Sequence, residues 1–418
     1  MRVSLTSRFP ALASRDFALF WGGHLLSLIG TSMQNTVQPL LAYRLSGRPL
    51  DLGLIGFALT LPIFFLALPG GVLVEHLEKR RVVIAAQLVM MLDAFALAAL
   101  TLLGLVEIWH IMVLALVLGI ATTFEITARQ SMLIELVGRE SLPNAIALQS
   151  TAFNLSRVLG PAIAAPALAW FPAPAEGWIF FLNGVSFIAL VASLLLVRGR
   201  FEVPQGARSA PLLAEIGEGA RYLAHAPATG LLVVNAGVLG LLAFPFFQQL
   251  PVVSKDVLAQ LGDTVATVNA RNSLLYGAQG AGALLAAFSL AASNVVARLN
   301  SRMVVGQAAF LLGLIAIPFS RSPLVSAGLV AAMGWGSVTS LATMNTELQM
   351  QVPNELRGRV FSIYLWAMQG SAPFGSVLIG WLTQQWTLAV AGAACGAACI
   401  LLLSGIQFMR LRMRPANP

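Results

Sequence analysis

At 418 residues, 58% hydrophobic and only 10% charged, with a mean hydropathy of +0.82, the chain cannot keep a solvated surface around a water-soluble core. Its apolar runs reach the ~20 residues that a membrane helix needs and lack the alternation of barrel strands, so an all-α membrane protein is expected. The net charge of +8 sits at the ends of those runs rather than in one patch, so topology explains it and no nucleic-acid partner is implied.

Arg2, Arg8 and Arg15 precede a first run that is too long for a signal-peptide core, and no small-residue cleavage site follows it. That segment is expected to remain in the mature protein. In chain order the predicted spans are Phe17–Leu45, Leu50–Val74, Val82–Val106, Trp109–Ala128, Pro143–Phe171, Trp178–Val197, Thr229–Val253, Ala270–Ala297, Met303–Phe319, Pro323–Thr346, Val360–Trp386 and Leu388–Met409. Twelve spans place both termini on one face. On the opposite face stand only Arg44, Arg48, Lys255, Arg271 and Arg321, whereas nearly all other Lys and Arg residues fall on the terminal face. The positive-inside rule then puts both termini in the cytoplasm of a multi-pass cell-membrane protein.

The longest polar stretch, 198–228, divides the spans into six and six, so the expected organisation is a bundle over 1–197, a cytoplasmic linker over 198–228 with a surface helix around Leu212–Ala224, and a bundle over 229–418. The halves repeat. Glu135-Leu-Val-Gly-Arg139 returns as Glu355-Leu-Arg-Gly-Arg359, Gly160 falls on Gly380 at the same offset, and Glu125 and Glu347 end the fourth and tenth spans. A half-chain repeat is the mark of two-bundle transporters.

Polar residues form stripes at helical spacing: His24, Ser27, Thr31, Asn35 and Gln38 in the first span; Ser150, Asn154, Arg157 and Pro161 in the fifth; Asn272, Tyr276 and Gln279 in the eighth; Gly336, Ser340, Thr343 and Glu347 in the tenth. One such stripe is explained by interhelical hydrogen bonds worth ~0.6 kcal/mol each. Four together point to a polar cavity, with the third, sixth, ninth and twelfth spans outside it, and Trp366 and Gln369 of the eleventh join the expected cavity set. Amides, hydroxyls and aromatic rings, including Trp335, Phe244, Phe246 and Phe247, suit an amphipathic or aromatic substrate better than a sugar or a small ion.

Ionisable groups inside a span cost ~2.5–3.5 kcal/mol at the helix centre and are therefore paired or face water. Asp93, Glu125, Arg157 and Glu347 qualify, and an ion pair between Glu125 and Arg157 is expected because their depths are compatible. Cys395 and Cys399, one turn apart in an apolar run, read as small core residues. The histidines His24, His76, His110 and His225 are too scattered for a metal cluster, and neither lysine follows a glycine as a phosphate loop requires, so neither an enzyme, a cofactor nor an ATP-driven pump is expected.

The loop Gly70–Arg81, with Gly71, Glu75, His76, Lys79, Arg80 and Arg81, resembles the loop between helices 2 and 3 of the major facilitator superfamily, with Glu75 where aspartate is usual. Ala128, Arg129 and Gln130, then Pro143, Asn144 and Ala145, then Arg157 to Pro161 extend the likeness over essentially the whole chain. It is strongest to the drug and siderophore exporters that include enterobactin and macrolide efflux proteins. The resemblance implies two pseudo-symmetric six-helix bundles and a gating loop in which Glu75 caps the eleventh span and Lys79 or Arg80 meets Glu125. It also makes Gly160-Pro161 a hinge element of the fifth span associated with antiport. Ala164 and Ala165 stand where glycines are common, and Leu118–Thr122 holds no arginine where drug antiporters have one. The function expected is secondary active export of small amphipathic molecules by a monomer, coupled to protons; a lipid flippase or a gradient-independent facilitator of the same fold is the alternative.

Overall fold

The computed structural model describes residues 10–198, 212–292, 299–353 and 355–413, which are overwhelmingly helical and contain no strand. The spanning helices are α1 (Arg15–Ser46), α2 (Pro49–Glu75), α3 (Lys79–Leu102), α4 and α5 within one run (Ile108–Trp170), α6 (Ala175–Leu196), α7 (Pro227–Val257), α8 (Val265–Ala291), α9 (Leu299–Ala316), α10 (Pro323–Gln351), α11 (Arg357–Gln385) and α12 (Leu388–Met413). A separate linker helix covers Leu212–His225. Among the described residues nine of these helical runs are long and apolar enough to cross a bilayer by composition. The others are α1 and α11, diluted by polar residues, while α4 and α5 count as one because the helix continues through the expected loop. Its break is Gly138, at φ 72°, a conformation that only glycine adopts cheaply, so residues 108–137 form α4 and residues 139–170 form α5.

The seventh span also departs from expectation. Regular α-helix ends at Leu242, a 3-10 stretch covers Phe244–Gln249, and a π turn covers Val253–Val257. Pro245 and Pro251 each remove an amide donor, which makes an unbroken α ladder impossible there.

Packing groups the chain into two compact units that do not follow chain order: Met1–Leu41 with Phe65–Ala207, and Ala42–Phe64 with Arg208–Pro418. In the first unit, Phe17, Phe20, Val74, Val83, Met132, Leu136, Leu148 and Leu190 form a core that ties α1 to α6. Glycines allow the close crossings: a side chain at Gly23 would strike α6 at Ala189, and one at Gly160 would strike Ser32 of α1. The indole of Trp21 donates to the Leu148 carbonyl at 3.0 Å and fixes the α1–α5 register.

In the second unit, the end of α1 and most of α2 pack on α7 and α11. The Tyr43 hydroxyl donates to Asp256, Lys255 lies 4.8 Å over the Tyr43 ring, and the Leu50 amide donates to Gln384. Gly380 faces Pro49 and Gly53 with no room for a Cβ. The turn before α8 is closed by Arg271, which donates to both oxygens of Asp263 at 2.6 Å and to the Leu258 carbonyl at 2.7 Å. That guanidinium and the Gln260 amide hold the Asp263 carboxyl below the ordinary carboxylate range.

Helices α8 and α10 cross through reciprocal glycines, Gly282 against Ala331 and Gly334 against Gln279, with backbone as the obstacle in both cases. Gly334→Val is therefore expected to lower the thermal midpoint in detergent by an overpacking cost of ~1–3 kcal/mol or more. Gly328→Ala, on the same helix but facing open space, should leave it unchanged; equal melting of the two variants would show that the crossing is not close-packed.

Candidate functional site

The ionisable groups of the first unit lie along α4 and its neighbours. Glu125, 5% exposed, accepts from Nε of Arg129 at 2.7 Å, one turn along the same helix, and Arg129 Nη1 donates to Oε1 of Gln149 on α5 at 2.7 Å. This replaces the expected Glu125–Arg157 pair. Arg157 lies eight residues beyond Gln149 on α5, ~12 Å further along the axis at 1.5 Å per residue, which is too far for the contact. Its guanidinium instead sits 5.9 Å from the centre of the Phe153 ring. His24 is buried and stacks on Phe20 at 5.5 Å with the rings 9° from parallel, and its Nδ1 has no partner.

The loop residues also choose other partners than expected. Lys79, buried, pairs with Glu135 rather than Glu125, because Glu135 stands at the same end of α4 as the loop while Glu125 is ten residues, or ~15 Å, away from it. Arg80 donates to the Leu195 carbonyl at 3.1 Å, and Arg81 pairs with Glu78 at 2.5 Å at an exposed site. The surroundings of Gly71 and the side chain of Glu75 lie outside the described residues.

Asp93 on α3 is 4% exposed, with Oδ1 unpartnered, and its helix neighbours Met90 and Ala94 pack with Ala121 and Phe187. In the second unit Glu347 is held by Arg410 at 2.6 Å and by Gln351 at 3.1 Å. Arg410, 2% exposed, also reaches the Met303 sulfur at 3.9 Å.

The stripes divide between packing and open surface. Gln38 is buried and accepts from Gln34, whose own oxygen accepts from Asn183 of α6 at 2.7 Å, while Asn35 is exposed and Thr31 half-buried. Asn154 donates to the Ser150 carbonyl, Ser340 to that of Gly336, and Asn272 accepts from Ser254 at 3.4 Å. Gln279 is buried and Tyr276 and Gln369 half-buried. Trp366 donates to the Phe64 carbonyl at 3.2 Å and lies 5.0 Å from the Phe64 ring. Phe244 and Phe247 both meet Phe310 edge-on at 5.4 Å, so these two are packing residues. Gly160 and Pro161 are buried, Gly160 against α1. Among the described residues no three His, Cys, Asp or Glu side chains gather as a metal site.

Sequence reasoning missed Arg129, Gln149, Glu135 and Arg410 as partners. The first was available, because an acid and an arginine at i and i+4 share a helix face.

A family described as transmembrane secretion effector matches residues 6–418. The chain belongs to it, within the major facilitator superfamily. Members are transporters, not enzymes. The multidrug efflux pump Tap of Mycolicibacterium fortuitum is 26% identical over 392 residues, covering 90% of this chain and 89% of its own. The enterobactin exporter EntS of Escherichia coli (strain SMS-3-5 / SECEC) is 26% identical over 428 residues, covering 99% and 96%. Among solved structures, an autoinhibited POT family peptide transporter superposes with a TM-score of 0.71 at 15% identity, covering 96% of this chain and 99% of its own. The nucleoside transporter NupG gives 0.70 at 12%, covering 96% and 100%. These two likenesses concern the fold. The secretion-effector chain is thus an exporter-like major facilitator protein.

The Glu347–Arg410 pair predicts a double-mutant cycle. Removing one partner from a buried pair costs ~3–5 kcal/mol, whereas apolar replacement of both is often neutral or stabilising. Arg410→Met and Glu347→Leu should each lower the thermal midpoint in nanodiscs, and the double variant should recover most of the loss; additive losses would show that the charges act independently.

Proposed function

We propose that this secretion-effector protein exports small amphipathic molecules by proton antiport with alternating access, as a monomer in the cell membrane with both termini cytoplasmic. The observation that supports coupling most is Glu125, a carboxylate buried on a membrane helix and neutralised by one arginine that has a second partner in reach. Export against a gradient needs a group whose proton binding differs between access states, because only differential affinity shifts a conformational equilibrium. Protonating Glu125 removes the charge that holds Arg129 and leaves it to Gln149; deprotonation restores the pair. The names of Tap and EntS favour export and an amphipathic drug- or siderophore-like cargo.

In this reading the exposed or half-buried stripe residues, Thr31 and Asn35 in the first half and Tyr276 and Gln369 in the second, offer the polar groups that contact the cargo. The loop with Gly71, Glu75, Lys79, Arg80 and Arg81 acts as the gating element on the cytoplasmic face.

Inside-out vesicles test the coupling. With a panel of amphipathic dyes, Glu125→Gln should abolish proton-driven uptake while dye binding persists, and Asp93→Asn should mainly lower stability. Retained coupling in the first variant with loss in the second would move the proton site to Asp93. Movement independent of any gradient in the wild type would favour a facilitator or flippase.

Orientation has its own test. A cysteine placed at Asp263 should react with an impermeant maleimide from outside intact cells, and one at Glu218 on the linker helix should react only after permeabilisation. The reverse pattern would invert the topology.

A further inference from the structure

Four basic side chains in or at the ends of the spans have an acid partner: Lys79 with Glu135, Arg129 with Glu125, Arg271 with Asp263, and Arg410 with Glu347. Arg157, half-buried, has none among the described residues. It lies mid-helix on α5 with no carboxylate and no hydrogen-bond acceptor, accompanied only by the Phe153 ring. A cation at that depth is costly unless it is paired or faces a water-filled path.

The scaffold keeps it unpaired. The Trp21 bond to Leu148 and the Gly160 contact with Ser32 fix α5 against α1, so Arg157 cannot slide toward Glu125, whose charge Arg129 already satisfies. Phe153, one turn before Arg157 on the same face, is 53% exposed. Ser150, exposed, shares that face, so a charge, a hydroxyl and an open aromatic surface stand together on α5.

We propose that Arg157 is the anion-recognising residue of the transport path and that the cargo class is aromatic acids, an apolar ring system bearing a carboxylate or phenolate. The inference rests on the transporter reading and adds the charge of the cargo to it. A guanidinium holds a carboxylate through two parallel hydrogen bonds, which an ammonium or neutral cargo cannot exploit. A ring attached to that carboxylate can stack on Phe153, where aromatic pairing adds its own preference.

The test uses a matched set of probes, 1-naphthoate, 1-naphthamide and 1-naphthylmethylammonium, titrated calorimetrically into the full chain in nanodiscs. The wild type should bind naphthoate at least ~10-fold more tightly than either other probe, a difference of ~1.4 kcal/mol. Arg157→Gln should bring naphthoate down to the affinity of naphthamide, and Arg157→Lys, which keeps the charge but loses the fork, should fall between. Phe153→Leu should weaken both naphthoate and naphthamide, reporting the ring contact separately. Monodisperse elution and an unchanged melting curve for Arg157→Lys guard against misfolding as the cause.

Equal affinity of the wild type for the three probes, or an equal loss for all three in Arg157→Gln, would overturn the proposal. Vesicle transport separates it from the export reading. A protein that selects naphthoate but moves nothing supports the anion site while export fails, and one that moves the probes regardless of charge supports export while the anion site fails.

Discussion

The cost of leaving a charge unpaired in hydrocarbon organises this protein more than any other single constraint. Several of the charged groups in or at the ends of the spans join a helix to a particular neighbour at a particular depth, and the helices settle where those partners meet. Lys79 with Glu135 ties the start of α3 to the end of α4, and Arg129 ties α4 to α5 through Gln149. Arg410 ties the end of α12 to α10. Hydrophobic packing cannot supply this specificity, because in a bilayer lipid tails solvate leucine as well as a neighbouring helix does. What packing supplies is proximity, through glycines whose missing side chains let α8 meet α10 and α1 meet α5 backbone to backbone.

The fold was largely legible because the bilayer makes helix length and hydropathy nearly sufficient evidence. Where the reading failed, local backbone chemistry prevailed over hydropathy. The segment around Glu135 is polar enough to look like a loop, yet it continues as helix up to Gly138, since charged residues at a helix end on the membrane surface need not leave the helix. The end of α7 looked like ordinary span, but two prolines remove donors that the ladder requires.

The ionisable residues themselves were legible; their partners were not. Composition marks Glu125, Arg157, Asp93 and Glu347 as exceptional, but pairing depends on depth and rotation, which a sequence expresses only indirectly. Arg410 is the clearest case. It lies 63 residues from Glu347 near the chain end, where a basic residue ordinarily reads as a topology marker, and in the fold it is almost completely buried. The stripe on α1 was similarly mixed. Gln34, outside the stripe, bonds Asn183 of α6, while Asn35 beside it stays exposed.

The internal repeat makes the two acids comparable and explains why they differ. Glu125 has arginine four residues later, at Arg129; Glu347 has Gln351 at the same spacing, and that amide donates to it. A glutamine cannot neutralise a buried carboxylate, so the second half must import a cation, and it does so from α12 with Arg410. The consequences diverge. In the first unit the cation sits on the same helix as the acid and is shared with Gln149, so its release requires only a side-chain movement. In the second unit acid and cation are on different helices, both almost fully buried, so separating them means moving α12 against α10. A proton-dependent rearrangement is therefore easier at Glu125 than at Glu347, which places any switch of the antiport proposed above in the first unit and leaves the second pair to hold its helices together.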